Sequence, residues 1–304
     1  MNADTRPNIL LTIDVEDWFQ VENLRPWFPP GAWNRQELRV ERNTNDLMDL
    51  LDSMELPPDS QKPAAPVHTP APRATFFILG WIAKRLPNLV REIQKRGHEV
   101  ASHGYNHLMC SRISPEDLKD DLIRSKRTIE DITGVEVKGY RAPNFSISDV
   151  ALELVRTTGY QYDSSYNNFA RHGRYGVLTL NGKNKAGEAV RIEKDFAELP
   201  ISNLTVGNQI VPWGGGGYFR LLPLPIFTRG IAHILNRTGF YLFYMHPWEI
   251  DPGQPRVKNG SRLSSWRHYL NLAKTRTRLA GLLQTFKRCK FPTCSQYLDD
   301  VIKD

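Results

Sequence analysis

Apolar and β-branched residues gather in seven short runs bounded by polar residues, Gly or Pro, the pattern of buried strands. They are Ile9–Val15, Ala74–Leu79, Glu99–Ser102, Val137–Arg141, Tyr160–Asp163, Ala197–Ile201 and Tyr241–Met245. Between them the apolar spacing lengthens to that of helices. Leu86, Leu89, Val90 and Ile93 form one stripe, with Gly97 placed as its C-cap. Ser114-Pro115-Glu116-Asp117 opens another, with Ser as N-cap, Pro in the first turn and acids at the positive end of the helix dipole. Its apolar face is Leu118, Leu122, Ile129 and Ile132, and Gly134 ends it. Ser148–Thr158 and Pro225–Arg237 read as helices. Ser261–Arg288 reads as one long helix, with Leu263, Trp266, Leu270, Ala273, Ala280 and Leu283 on one side. Strands alternating with helices predict an α/β fold on a mainly parallel sheet, and seven strands fit a barrel better than an open sheet.

The chain has 304 residues, 40% hydrophobic and 24% charged, which excludes global disorder, collagen and coiled coil. No apolar run approaches the ~18 residues of a membrane span. Met1–Pro7 is polar and does not read as a signal peptide. Three scattered cysteines, Cys110, Cys289 and Cys294, suit reduced thiols in a cytoplasmic protein better than a disulfide framework or a zinc finger. Residues 56–73 hold six prolines among small and polar residues and read as a surface insertion.

Charge changes the picture at one end. Between Asp251 and Asp299 there are ten Lys or Arg and no acid, leaving 30 basic against 33 acidic residues elsewhere. This divides the chain into a nearly neutral body, residues 1–250, and a basic helical extension, residues 251–304, expected to pack on it. Such an extension fits peripheral contact with an anionic membrane surface, and equally a solvated face. No nucleic-acid motif accompanies it.

The candidate chemistry lies at predicted strand ends, where barrel enzymes place their sites. Asp14, Glu16 and Asp17 would repel one another unless a cation or shared proton compensates, and Asp14 and Glu16 share a face if the strand continues. The alternative is a solvated turn. His103 and His107, a His-x3-His pair on one helical turn or tight loop, have metal-ligand spacing. Two His and one carboxylate leave a coordination position open, as catalytic metals require. Arg141, followed by Pro143 and Asn144, could hold a carboxylate or merely sit in a surface loop. Asp163 ends another strand, and His246 ends the most apolar one, either as a satisfied core histidine or at a barrel mouth.

The ordered set Thr12-x-Asp14, Ser102-His103-x3-His107, Arg141-x-Pro143, Asp163-Ser-Ser and a late strand ending in His246 resembles the polysaccharide deacetylases of carbohydrate esterase family 4. Asp14-Val-Glu-Asp-Trp-Phe, Gly215-Gly-Gly-Tyr-Phe-Arg-Leu-Leu-Pro223 and His246-Pro-Trp-Glu-Ile-Asp-Pro-Gly-Gln-Pro255 look like its exopolysaccharide-locus, exosortase-associated branch, with a C-terminal extension. The resemblance implies a distorted (β/α)7 barrel and metal-dependent removal of acetyl groups from N-acetylhexosamine units. It makes Asp14 the general base, Arg141 its orienting partner, His246 the general acid and His103 and His107 metal ligands. The family's second, adjacent Asp is Val15 here. Glu16 becomes the expected third ligand, with Asp17 as substitute.

Asn144 falls where a backbone N–H helps hold the oxyanion, and Asp163, Trp213 and Tyr218 are expected to bind substrate. His246 has Asp163 and Glu249 as candidate partners. Zn²⁺ suits the donors, which also accept Co²⁺, Fe²⁺ or Ni²⁺. The expected partner is an N-acetylated glycan. Rival readings are a peptidoglycan or small-molecule amide hydrolase, and a non-catalytic glycan-binding barrel.

Overall fold

A computed structural model describes residues 6–56, 71–169, 173–180, 182–257 and 262–302. Most of the Pro-rich insertion therefore lies outside the described residues. The strands are β1 (Asn8–Val15), β2 (Ala74–Ile78), β3 (Glu99–Ser102), β4 (Gly139–Tyr140), β5 (Tyr162–Asp163), β6 (Asn184–Ala186), β7 (Ala189–Glu193), β8 (Phe196–Glu198), β9 (Asn203–Val206), β10 (Gln209–Pro212) and β11 (Phe240–Met245). The helices are α1 (Val40–Asp52), α2 (Gly80–Arg85), α3 (Pro87–Lys95), α4 (Pro115–Thr133), α5 (Asp149–Thr157), α6 (Gly216–Leu221), α7 (Leu224–Thr238), α8 (Arg262–Tyr269), α9 (Leu272–Thr285) and α10 (Cys294–Val301).

Nine strands form one curled sheet in the order β11-β1-β2-β3-β4-β5-β8-β7-β6. It is parallel from β11 to β8, the set expected from the seven apolar runs. β1 is buried from Ile9 to Val15 because neighbouring strands flank it and both faces are covered. Among the described residues β11 forms a ladder with β1 alone. The segment before α6 also lies along it, with Tyr244 N–H donating to Gly214 O at 2.7 Å and Leu242 N–H to Ser202 Oγ at 2.9 Å. The fold is thus a distorted, incompletely laddered barrel. The hairpins β6–β7 and β9–β10 have no counterpart among the expected strands, because their short, largely exposed sequences lack an apolar run.

Helix boundaries follow local chemistry. Ser114 Oγ accepts from Asp117 N–H, and Gly134 at φ 69° closes α4. Gly239, φ 67°, closes α7 directly before β11. α10 sits beneath the N-terminal ends of β2 and β3, where Cys294 N–H donates to Thr75 Oγ1 (2.9 Å) and Ser295 N–H to Glu99 Oε2 (3.1 Å). α10 thus covers the starts of these two strands.

The expected single helix over 261–288 is broken. Asn271, at φ 55°, separates α8 from α9 and resets the helical phase. The buried side of α9 is therefore Leu272, Thr275, Leu279, Leu282 and Leu283, while Ala273 and Trp266, placed on the apolar stripe by spacing, are exposed.

Candidate active site

The C-terminal strand ends converge on a cleft of about 680 Å³. Asp14 sits in the last pleat of β1 and Glu16 directly after that strand, His103 and His107 follow β3, Arg141 follows β4, and His246 follows β11. The His-x3-His segment is a tight loop rather than a helical turn. Asp121 of α4 holds it by accepting from the Tyr105 N–H (2.7 Å) and the Asn106 N–H (3.2 Å), and His107 adopts φ 52°.

Glu16 Oε1 lies 3.0 Å from His103 Nε2 and 2.9 Å from His107 Nε2, with all three residues buried. His103 Nδ1 donates to the Arg141 carbonyl at 2.7 Å, so in the neutral ring Nε2 offers a lone pair to the same point. Three electron-rich atoms within 4.8 Å of one another, shielded from water, would repel. A divalent cation removes that repulsion, and an oxygen with two imidazole nitrogens is a donor set that fits one. Burial alone would raise the Glu16 carboxyl. Without a cation at that point, positive charge on His107 and His246, and hydrogen bonds from the loop histidines when their Nε2 atoms carry protons, hold it well below the usual range.

Asp17, the alternative ligand, points elsewhere. Its oxygens accept from the N–H groups of Trp18 (2.8 Å), Arg39 (2.8 Å) and Val40 (3.0 Å), capping α1, while burial raises its carboxyl to about 6. The arrangement at Asp17 is a helix cap.

Arg141 is completely buried. It donates from Nη1 to Asp14 Oδ1 and Thr12 Oγ1 (2.7 Å each), from Nε to Ser164 O and from Nη2 to Ser164 Oγ. This fixes the Asp14 carboxylate and turns Oδ2 towards His246 Nε2, 4.0 Å away. His246 Nδ1 donates to Glu249 Oε1 at 2.9 Å, and Glu249 Oε2 accepts from Arg220 Nε at 2.7 Å. Burial would lower the imidazole pKa, but Glu16 and Glu249 together raise it to about 9. Glu249, which burial would raise, is drawn down to about 2 by Arg220 and His246.

Of the two candidate partners for His246, the structure supplies Glu249. Asp163 is fully buried, bonded to Ser165 Oγ (2.7 Å) and N–H (3.0 Å), and registered opposite Glu198. Burial and their mutual repulsion push Glu198 well up, so the two carboxyls share a proton away from the cleft. The expectation that Asp163 binds substrate is therefore corrected. Trp213 is corrected likewise: its Nε1 donates to Phe227 O and its ring stacks on Phe227 at 5.4 Å. It packs in the core because α7 presents Gly230 to it. Tyr218 and Asn144 do line the cleft, and Asn144 Nδ2 is buried with no partner among the described residues.

Arg220 escaped sequence reasoning, although it lies in the Gly215–Pro223 motif. The glycines there serve close approach. A Cβ on Gly216 would collide with the Glu249 carboxylate, and one on Gly215 would meet the Tyr244 hydroxyl at 2.5 Å. Arg220 Nη1 also donates to the carbonyls of His268 (2.9 Å) and Leu270 (2.8 Å), tying the α8–α9 junction to the Glu249–His246 pair.

Residues 71–162 match the family model "Polysaccharide deacetylase", and residues 164–299 match "Domain of unknown function (DUF3473)". A peptidoglycan-N-acetylglucosamine deacetylase of Bacillus cereus is 36% identical over 88 residues, 29% of this chain and 41% of the relative. A peptidoglycan deacetylase of Helicobacter pylori is 34% identical over 139 residues, 42% of this chain and 47% of the relative. The matches thus span less than half the length of these relatives. A solved structure from Mycobacterium smegmatis, assigned as a polysaccharide deacetylase, superposes with TM-score 0.58 at 18% identity, covering 99% of this chain and 92% of the other. That likeness shows the fold. Residues 71–162 by the family model, and part of the chain by the curated relatives, are thus similar to polysaccharide deacetylases.

Proposed function

We propose that the protein is a metal-dependent N-deacetylase that hydrolyses the acetamido group of N-acetylhexosamine units in a glycan. One observation carries this reading. A three-atom candidate metal-ligand set adjoins a carboxylate fixed by Arg141 and an imidazole fixed by Glu249; Asp14 Oδ2 lies 4.0 Å, and Glu16 Oε1 3.8 Å, from His246 Nε2. Glu16, His103 and His107 would hold the cation, zinc by donor type. When bound, it supplies Lewis acidity to the acetyl carbonyl and to the hydrolytic water.

The chain's own residues move the protons. Asp14 takes one from the water as its oxygen attacks the carbonyl carbon. Asn144 donates to the developing oxyanion. As the C–N bond breaks, His246 gives a proton to the leaving sugar amine, and Glu249 holds the ring at the angle that requires. The products are acetate and the free amine.

The site assignments rest on this geometry, and the polymer on the motifs. We place the glycan, free or lipid-linked, in exopolysaccharide synthesis at the cytoplasmic membrane face. The exposed cations Lys274, Arg276, Lys287 and Arg288 favour that surface. No helix among the described residues is long and apolar enough to cross a membrane. The similarity to peptidoglycan deacetylases favours a second reading, peptidoglycan as substrate. Acetate release from a panel of N-acetylated glycans, with and without chelator, tests the proposal. Turnover of a small non-glycan amide with none of any oligosaccharide would remove it.

A further inference from the structure

The cleft carries an imbalance of charge that amide hydrolysis does not use. Its four carboxylates are all engaged: Asp14 by Arg141, Glu16 by two histidines, Glu22 by Arg112 (2.8 Å) and Arg25 (3.4 Å), and Glu249 by Arg220 and His246. Arg220 is spent on Glu249 and on backbone carbonyls. Two further guanidiniums line the cleft, Arg174 and Arg267, and neither has a carboxylate partner among the described residues.

Arg174 is half-buried and held by a neutral group, its Nη2 donating to Asn23 Oδ1 at 2.6 Å. Arg267 projects from α8, whose end is fixed when the Arg267 and His268 carbonyls accept from Arg220 Nη1. Both are close enough to the buried Tyr175 phenol for their charges to favour its ionised form, although burial outweighs them. The two cations thus line the same cleft as Tyr175. Beside Arg267, Trp266 is 52% exposed, and Tyr218 lies nearby in the lining, giving aromatic faces of the kind sugars stack on.

A guanidinium fixed by a neutral amide, facing a cavity whose acids are all paired, is arranged for an anion supplied from outside. We propose that the substrate is an acidic N-acetylated glycan, bearing a carboxylate or phosphate next to the N-acetylated sugar, and that Arg174 and Arg267 bind that anionic group. This inference rests on the deacetylase reading for its reaction but on different residues for its recognition.

The test compares three probes of matched length on the metal-loaded full chain. One is a neutral chito-oligosaccharide, one alternates N-acetylglucosamine with glucuronic acid, and one is an N-acetylglucosamine oligosaccharide joined through diphosphate to a short prenyl alcohol. At low salt at least one charged probe is expected to exceed the neutral one about tenfold in kcat/KM. That preference should fall about tenfold in each of Arg174→Gln and Arg267→Gln, and in wild type as salt rises. Which charged probe wins distinguishes carboxylate from phosphate.

Equal efficiency on all three, or a preference kept by both variants, would overturn the proposal while leaving deacetylation standing. If no probe yields acetate, the deacetylase reading fails, and direct binding titrations decide this one. Tighter binding of a charged probe that is lost in both variants sustains it, and equal binding of all probes overturns it.

Discussion

Glu249 Oε1 accepts from both the ring Nδ1 of His246, at 2.9 Å, and the backbone N–H of the same residue, at 3.0 Å. One carboxylate oxygen thereby sets the direction of the last strand and the angle of the imidazole at its end. Behind it, Arg220 balances the charge at 2.7 Å.

Glu249→Gln keeps the shape and removes the charge. It should lower kcat about 10- to 10²-fold with KM within about threefold and metal content unchanged, because the proton donor is misaligned while the ligands stay. It also leaves Arg220 buried without its counter-ion, at a cost of about 3 kcal/mol of stability. Steady-state kinetics beside a melting curve check both, and an unchanged kcat in a folded variant would separate Glu249 from the reaction.

Gly216→Ala tests the same relationship from the other side. The new methyl would lie where the Glu249 carboxylate now sits, so the carboxylate must move. Metal content should hold while kcat falls about tenfold or more, in proportion to the displacement of His246. A fully active variant would show that the glycine run serves only packing.

Asp17→Asn separates the cap from the ligand. Losing two charge-assisted hydrogen bonds to the start of α1 should cost about 0.5–2 kcal/mol, with stoichiometric metal retained. Metal titration of the variant decides it: weakened metal binding would return Asp17 to the ligand set.

The fold should weaken in mild acid through His98. Burial, and then Arg73, lower its pKa to about 4, and its Nδ1 accepts from the Ala74 N–H at 3.3 Å, which requires the neutral ring. The ordinary value near 6.5 lies above the folded value, so the unfolded chain takes up the proton first. The stabilising contribution is complete above about pH 6.5 and is lost as pH falls towards 4, by up to about 3 kcal/mol. Denaturant melts at pH 7, 5.5 and 4.5 should show a shallower loss in His98→Gln than in wild type.

Much of this architecture could be read from residues alone, because the signals were local. A buried parallel strand needs an apolar run, and polar groups directly after such runs mark the open end of the barrel. Asp14, Glu16, His103, His107, Arg141 and His246 were found that way, and the structure brings all six together. Other features depend on neighbours distant in sequence. The spacing of Asp17 is as good as that of Glu16, and only the arrival of α1 turns it into a cap. Asp163 ends a strand but meets Glu198, and Trp213 flanks a glycine run but meets Phe227. Arg220 and Glu249, 29 residues apart, become a pair only when the segment before α6 takes a strand's place beside β11. The break at Asn271 was hidden because the residues on either side favour helix, and the resulting phase shift exposes Trp266 at the cleft.

The central claim is that two carboxylates two residues apart do different work, Glu16 holding the cation and Asp14 moving the proton. Parallel measurement of bound metal and acetate release in Glu16→Gln and Asp14→Asn tests it most directly. Glu16→Gln should lose metal and activity together, whereas Asp14→Asn should keep stoichiometric metal and lose about 10²–10⁴-fold in rate. Full metal and full turnover in Glu16→Gln, or metal lost from Asp14→Asn alone, would contradict the assignment.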